Sequence, residues 1–255
     1  MTIQNDNESK DKNLRKRDEI YANFHAEVAK FAFDQKVAQV FEDMIHRSVP
    51  GYDAILAMIG VLAGRYAKEG TVCYDLGASL GGVSFAMVRN IDNKDCKIIA
   101  IDNSSAMVQQ LHTEVKKKGL ANSILVQQAD IRQTIINNAS VVVLNFTLQF
   151  LDPNERNKVI KTIFDGMLPG SIFILSEKIK FPNPSEDEFQ IDMYHEFKRL
   201  HGYSEMEISQ KRNALEDVLI PDTLNTHLVR LRNTGFQSVF TWFQCFNFVS
   251  IVAIK

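Results

Sequence analysis

Thr71-Val72-Cys73-Tyr74-Asp75-Leu76-Gly77-Ala78-Ser79-Leu80-Gly81-Gly82 runs from a short apolar, β-rich stretch through a glycine-punctuated turn into the start of a helix. Gly77 and Gly81 allow a tight turn and a close approach of backbone to a ligand. The amides of the turn and of the helix start are placed to favour a carboxylate or phosphate. A dinucleotide fingerprint would carry a third glycine at a set offset. Here Ser79 takes the middle position, giving D-x-G-x-S-x-G, and by itself the loop reads equally as a plain strand-to-helix turn.

Further short runs rich in Val and Ile follow at residues 97–102, 124–130, 140–146 and 171–176, after the first at 71–76. They are apolar on both faces, as parallel strands covered by helices on both sides should be. Helical stretches at 82–91, 105–118 and 154–167 separate them. This alternation predicts an α/β fold with a doubly wound, mostly parallel sheet. Two last runs, 238–245 and 248–254, lie too close for a helical crossover and predict an antiparallel hairpin, for seven strands in all. Before the first strand, Val37, Val40, Phe41, Met44 and Ile45, then Ile55, Met58, Ile59 and Leu62, keep helical spacing on either side of Ser48-Val49-Pro50-Gly51-Tyr52, which predicts a helical cover. Between strands five and six, a helical insert at about 181–231 opens on Pro182 and Pro184. It carries two helical patterns broken at His201-Gly202-Tyr203, with Ser204 and Glu207 as a capping box.

The chain has 255 residues, 45% of them hydrophobic and 24% charged, with 29 Lys+Arg against 31 Asp+Glu. A chain of this size buries enough surface to fold without staples. A formal charge of −2 argues against a dedicated nucleic-acid or anionic-membrane binder. Cys73, Cys96 and Cys245 are scattered, which fits a reducing, cytoplasmic setting. No apolar run is long enough to span a bilayer, and no His/Cys/Asp set has metal-ligand spacing. Residues 1–30 are expected to be a polar, disordered tail ahead of one domain at 31–255.

Several polar residues fall at the carboxyl ends of the predicted strands, where open α/β sheets bind ligands. Asp102 ends the second strand, about twenty residues beyond Gly81, a place that suits ribose hydroxyls. It reads equally as a cap for the next helix. Asp130-Ile131 ends the third strand, where adenine could sit, and Asn145 ends the very apolar Val141-Val142-Val143-Leu144. Arg212 interrupts the stripe Ile208, Leu215, Leu219. A guanidinium turned inward needs an anion, whether a salt-bridge partner or a substrate carboxylate held by its fork. Lys211 is expected to be solvated. His195 and His201, the Glu186–Glu188 acids, Phe146 with Phe150, and the Trp242 aromatic group are read as structural. The residues by themselves leave two classes of function open, an enzyme acting on a nucleoside and a non-catalytic binder of one.

The strand-end constellation resembles the class I S-adenosylmethionine-dependent methyltransferases. Within that superfamily, residues 41–52 (FEDMIHRSVPGY), 74–81, 98–103 (IIAIDN), 142–150 (VVLNFTLQF), 197–212 (FKRLHGYSEMEISQKR) and 242–248 (WFQCFNF) resemble the carboxy-S-adenosylmethionine synthase family. The resemblance runs from about Asp34 to the end. It implies S-adenosylmethionine contacts at Tyr52, Gly77, Ala78, Ser79, Asp102, Asn103, Asp130, Ile131 and Asn145, with Arg212 as catalytic residue and carboxylate holder. Ala78 stands where the family has cysteine. The resemblance further implies prephenate as carboxyl donor, a sulfonium ylide as nucleophile and no metal. The implied protein is a cytoplasmic homodimer whose product feeds a downstream enzyme of tRNA wobble-uridine (5-oxyacetyluridine) modification.

Overall fold

The computed structural model describes residues 16–92 and 95–255. The elements are α1 (Gln35–Ser48), α2 (Tyr52–Tyr66), β1 (Val72–Leu76), α3 (Gly82–Val88), β2 (Lys97–Asp102), α4 (Ser105–Lys117), β3 (Ile124–Gln128), β4 (Ala139–Asn145), a 3₁₀ turn (Leu148–Phe150), α5 (Pro153–Gly166), β5 (Met167–Lys178), α6 (Pro184–Leu200), α7 (Glu205–Leu215), α8 (Leu224–Thr234), β6 (Ser238–Cys245) and β7 (Phe248–Ile254). The strands form one sheet in the order β3-β2-β1-β4-β5-β7-β6. β1 to β5 are mutually parallel, and β7 runs antiparallel to both β5 and β6. The sequence-based expectation of seven strands and a terminal hairpin matches this sheet. The insert differs in one respect: it holds a third helix, α8, which begins before residue 231 and ends beyond it.

The centre of the sheet follows from residue type. Val141 to Leu144 on β4 are fully buried, as are Ile172 to Leu175 on β5, so β-branched side chains meet helices on both faces. One apolar cluster under α2 and α3 includes Ile55, Ile59, Met87 and Val141. The other, under α5 and α8, includes Val142, Ile160, Phe173 and Leu231. Strand order reverses between β1 and β4. This opens a crevice beyond their carboxyl ends, the place where such sheets bind ligands.

The expected polar tail to residue 30 is corrected from residue 16 onward; residues 1–15 lie outside the described residues. Asp18 is 1% exposed. Its Oδ2 accepts the Tyr203 hydroxyl at 2.6 Å and lies 3.6 Å from Lys211 Nζ, while its carbonyl accepts from Arg47. The Gln210 side chain ties the next residues, donating to the carbonyls of Tyr21 and Asn23 and accepting from the His25 amide. A window of mixed charges reads as solvated because its partners on α1, on α7 and in the turn between α6 and α7 are remote in sequence. The buried Arg156 was likewise invisible. It bonds Asp222 at 2.8 Å and the carbonyls of Gln149, Leu151 and Ile220, which anchors the chain between α7 and α8 to α5.

Candidate active site

A cavity of about 870 Å³ lies over the carboxyl ends of β1, β2, β4 and β5. All ten residues singled out from sequence line it: Tyr52, Gly77, Ala78, Ser79, Asp102, Asn103, Asp130, Ile131, Asn145 and Arg212.

The loop after β1 is built by its own acids. The Ser79 amide donates to Asp102 Oδ2 at 2.8 Å, and the Ser84 amide and hydroxyl donate to Asp75 Oδ2 at 3.0 and 2.6 Å. The amides of Gly77 and Ala78 both donate to the Ile101 carbonyl. The expectation of loop amides free for a ligand anion is therefore corrected for Gly77, Ala78, Ser79 and Ser84, whose amides carboxylates and backbone of β1 and β2 already occupy. Gly77 has φ +81°, and a Cβ there would lie 2.3 Å from Thr147 Oγ1, so the turn admits glycine alone. Burial pushes Asp75 up to about 7, against the opposing pull of its two Ser84 hydrogen bonds.

Asp102 is also raised by burial, and its other oxygen accepts from the Ser104 amide at 2.8 Å. A carboxylate has about four acceptor positions, and the Ser79, Ser104 and Asn103 amides take three of them, so Asp102 retains one for a ribose hydroxyl. Asp130 sits two residues past the end of β3 rather than on it. Arg132 binds it through Nε and a terminal nitrogen and holds its carboxyl below the usual range. Asn145 ends β4 with its side-chain Oδ1 buried and unpartnered among the described residues. Tyr52 opens α2 after Gly51 (φ +72°), and its ring lies 6.5 Å from that of Phe146. Burial beside Asp75 raises the Tyr52 phenol. An orphaned amide oxygen, an acid with spare acceptor positions and an aromatic wall fit a nucleoside with an amino-acid arm.

α7 required a correction. Its buried residues are Ile208, Gln210, Lys211 and Ala214. Lys211, expected in solvent, is 5% exposed and donates to Ser48 Oγ at 3.0 Å. Arg212 is exposed and makes no ion pair among the described residues. The stripe of Arg212, Leu215 and Leu219 faces the cavity rather than a packed core; cavity-facing and core-facing apolar stripes have the same helical period. Phe146 and Phe150 also line the cavity, although their spacing alone points to core packing. Phe146 does both jobs: it is 8% exposed and packs on Phe248 at 5.8 Å between ring centres. Sequence reasoning missed Lys178 and Lys198, which line the same space, and it set aside His195, which lines it too. Lys178 closes β5, and only its place at a parallel strand end could have flagged it.

A family model described as "Methyltransferase domain" matches residues 73–170. The carboxy-S-adenosyl-L-methionine synthase of Geobacter sp. (strain M21) is 50% identical over 242 residues, covering 94% of this chain and 99% of that protein. The enzyme of the same name from Pseudoalteromonas atlantica is 52% identical over 239 residues, covering 94% and 98%. The chain belongs to the carboxy-S-adenosyl-L-methionine synthase family. The Escherichia coli (strain K12) member is 48% identical, covering 94% and 97%. Among solved structures, an O-methyltransferase family 2 protein from Planctomyces limnophilus in complex with apigenin aligns with TM-score 0.60 at 13% identity, covering 87% of this chain and 61% of that one. PigF with SAH aligns at 0.59 and 17% identity, covering 87% and 60%. Both show the methyltransferase fold. Among the described residues, no helix is long and apolar enough to cross a membrane.

Proposed function

We propose that this protein is a transferase that places a carboxyl group on the methyl carbon of S-adenosylmethionine, with prephenate as the carboxyl donor. The observation that carries the reading is the division of the cavity. Its β2–β3 side presents Asp102 and Asp130, and its β5–α6–α7 side presents Lys178, Lys198 and Arg212, which is unpaired among the described residues. An ordinary methyl transfer creates no new anion on the nucleoside. Carboxylation does, and a guanidinium fork on the far side of the sulfonium suits it.

Prephenate breaks its ring carbon–carboxylate bond and loses hydroxide, giving carbon dioxide and phenylpyruvate. Hydroxide takes a proton from the methyl group next to the positive sulfur, giving water. The carbanion electron pair forms the new carbon–carbon bond to carbon dioxide. Arg212 cannot be the base, because it does not deprotonate; its work is to orient the donor and then to hold the new carboxylate. On the nucleoside side, Asp102 takes the ribose hydroxyls, Asp130 and Ile131 flank the base, and Asn145 Oδ1 and Tyr52 meet the amino-acid arm. The Ala78 amide is committed to Ile101, so replacement of the family's cysteine leaves that backbone bond in place. We take the enzyme to be a cytoplasmic homodimer whose product serves a downstream tRNA wobble-uridine modifying enzyme. A net charge of −2 accords with small-molecule substrates and no direct tRNA binding.

The test is incubation of the protein with S-adenosylmethionine and prephenate. Phenylpyruvate and a nucleoside heavier by one carbon dioxide are expected in equal amounts. Release of S-adenosylhomocysteine instead would favour an ordinary methyltransferase, and no turnover would favour a binder.

A further inference from the structure

The cationic side of the cavity holds more positive charge than one carboxylate requires. Lys198, on α6, is 4% exposed, yet its ammonium makes no hydrogen bond or ion pair among the described residues. It rests over the Tyr194 ring, 4.4 Å from the centroid, and Lys178 Nζ lies 4.7 Å from the same centroid. Lys178 likewise makes no ion pair among the described residues; Asp187 acts on it through space. Asp18, the acid whose charge acts on Lys198 through space, is taken by Tyr203 and Lys211. Burial and the neighbouring cations push Lys178 down to about 8 and Lys198 well below its ordinary value. A buried ammonium without an anion is costly, and the excess here is concentrated on one wall. That wall belongs to β5 and α6, across β4 from the strands that carry Asp102 and Asp130. It is therefore separate from the nucleoside half.

We infer that Lys178 and Lys198 form a second carboxylate subsite, which holds the carboxylate that a dicarboxylate donor keeps, while Arg212 takes the one that is transferred. The inference rests on the functional reading above. Phe146, Tyr194 and Phe248, which line the cavity beside these cations, supply an apolar surface for the carbon ring between the two carboxylates. Ammonium groups over an aromatic face remain partly desolvated and bind an anion strongly. Two separated cationic points also set a length requirement. A monocarboxylate fills one of them, and only a dicarboxylate of the right span fills both.

The test uses the full-length protein and the variants Lys178→Met, Lys198→Met and Arg212→Ala. With prephenate as the varied substrate, each lysine variant is expected to raise KM about tenfold or more, one lost ionic contact on the affinity scale. Its kcat should fall much less, and S-adenosylmethionine affinity by calorimetry should not change. Phenylpyruvate retains only the kept carboxylate, so its inhibition constant should rise in parallel in both lysine variants and stay unchanged in Arg212→Ala. Lys178→Arg and Lys198→Arg keep the charge and should recover most of the affinity, which separates lost charge from lost folding. Wild-type turnover with unaltered KM and phenylpyruvate inhibition in the lysine variants overturns the subsite alone. A loss of S-adenosylmethionine affinity instead assigns the lysines to the nucleoside's own carboxylate and also overturns it. Wild-type protein that releases no phenylpyruvate overturns the functional reading and the subsite with it.

Discussion

Replacing Arg212 by alanine separates binding from chemistry, and the structure sets the size of each effect. Arg212 is exposed, sits near the end of α7 and makes no ion pair among the described residues. Its removal should change stability by no more than about 0.5 kcal/mol, the usual effect of a surface substitution. It is also across the cavity from Asp102, so S-adenosylmethionine affinity should stay within about threefold of wild type. Turnover should respond differently. A guanidinium fork on a carboxylate makes two charge-assisted hydrogen bonds, each worth about 1.5–3 kcal/mol. Together they amount to about 3–6 kcal/mol, or roughly a hundredfold to ten-thousandfold in kcat/KM. Arg212→Lys keeps a charge but not the fork, so it should recover only part of the loss. The assay is phenylpyruvate release under varied prephenate, with thermal unfolding and calorimetry on the same samples. A kcat/KM within threefold of wild type for Arg212→Ala, with intact protein, would refute the role assigned to this side chain.

Asp102→Ala removes the acceptor for both Ser79 and Ser104 as well as the ribose contact, and should weaken S-adenosylmethionine binding about tenfold or more, read by calorimetry; unchanged affinity would remove Asp102 from the nucleoside side. Gly77→Ala forces a side chain into a left-handed backbone at a cost of about 1–2 kcal/mol, with a clash on Thr147 besides. It should lower Tm by several degrees and weaken nucleoside binding, and normal values for both would remove the case for glycine at this turn. Lys178, faced by Asp187 and Lys198 and by Arg212 and His195, titrates near 8. An anion binds the protonated lysines, so KM for prephenate should rise as pH passes above that value. Lys178→Arg, which stays charged, should lessen that rise and leave only the part carried by Lys198, whose ammonium burial also pushes down; the same pH profile in wild type and variant would contradict the assignment.

The sheet was legible because strand identity is local information. The β-branched runs around Cys73, Ile99, Val142 and Ile174 carry their burial in their own residue types. The cavity's nucleoside side was legible for the same reason, since Gly77, Asp102 and Asn145 each follow directly on such a run. The cationic side was not. Lys211 and Arg212 are adjacent, and both meet partners or space supplied by elements far away in sequence: Ser48 and Asp18 for the first, the open cavity for the second. Helical period identifies a face, but it does not tell whether that face looks onto packed side chains or onto a binding space. Residues 16–30 failed on similar grounds, because the burial of Asp18 depends on Tyr203 and Arg47. Lys198 had no signal in its own neighbourhood at all.

The most direct test of the account follows a single carbon. Prephenate carrying ¹³C in the carboxylate attached to its ring is given to the protein with unlabelled S-adenosylmethionine, and the nucleoside product is read by mass spectrometry and ¹³C NMR. The label is expected as a carboxylate on the sulfonium methylene carbon, in proportion to the phenylpyruvate released. Label found only as free carbon dioxide, with S-adenosylmethionine unchanged or converted to S-adenosylhomocysteine, would contradict it.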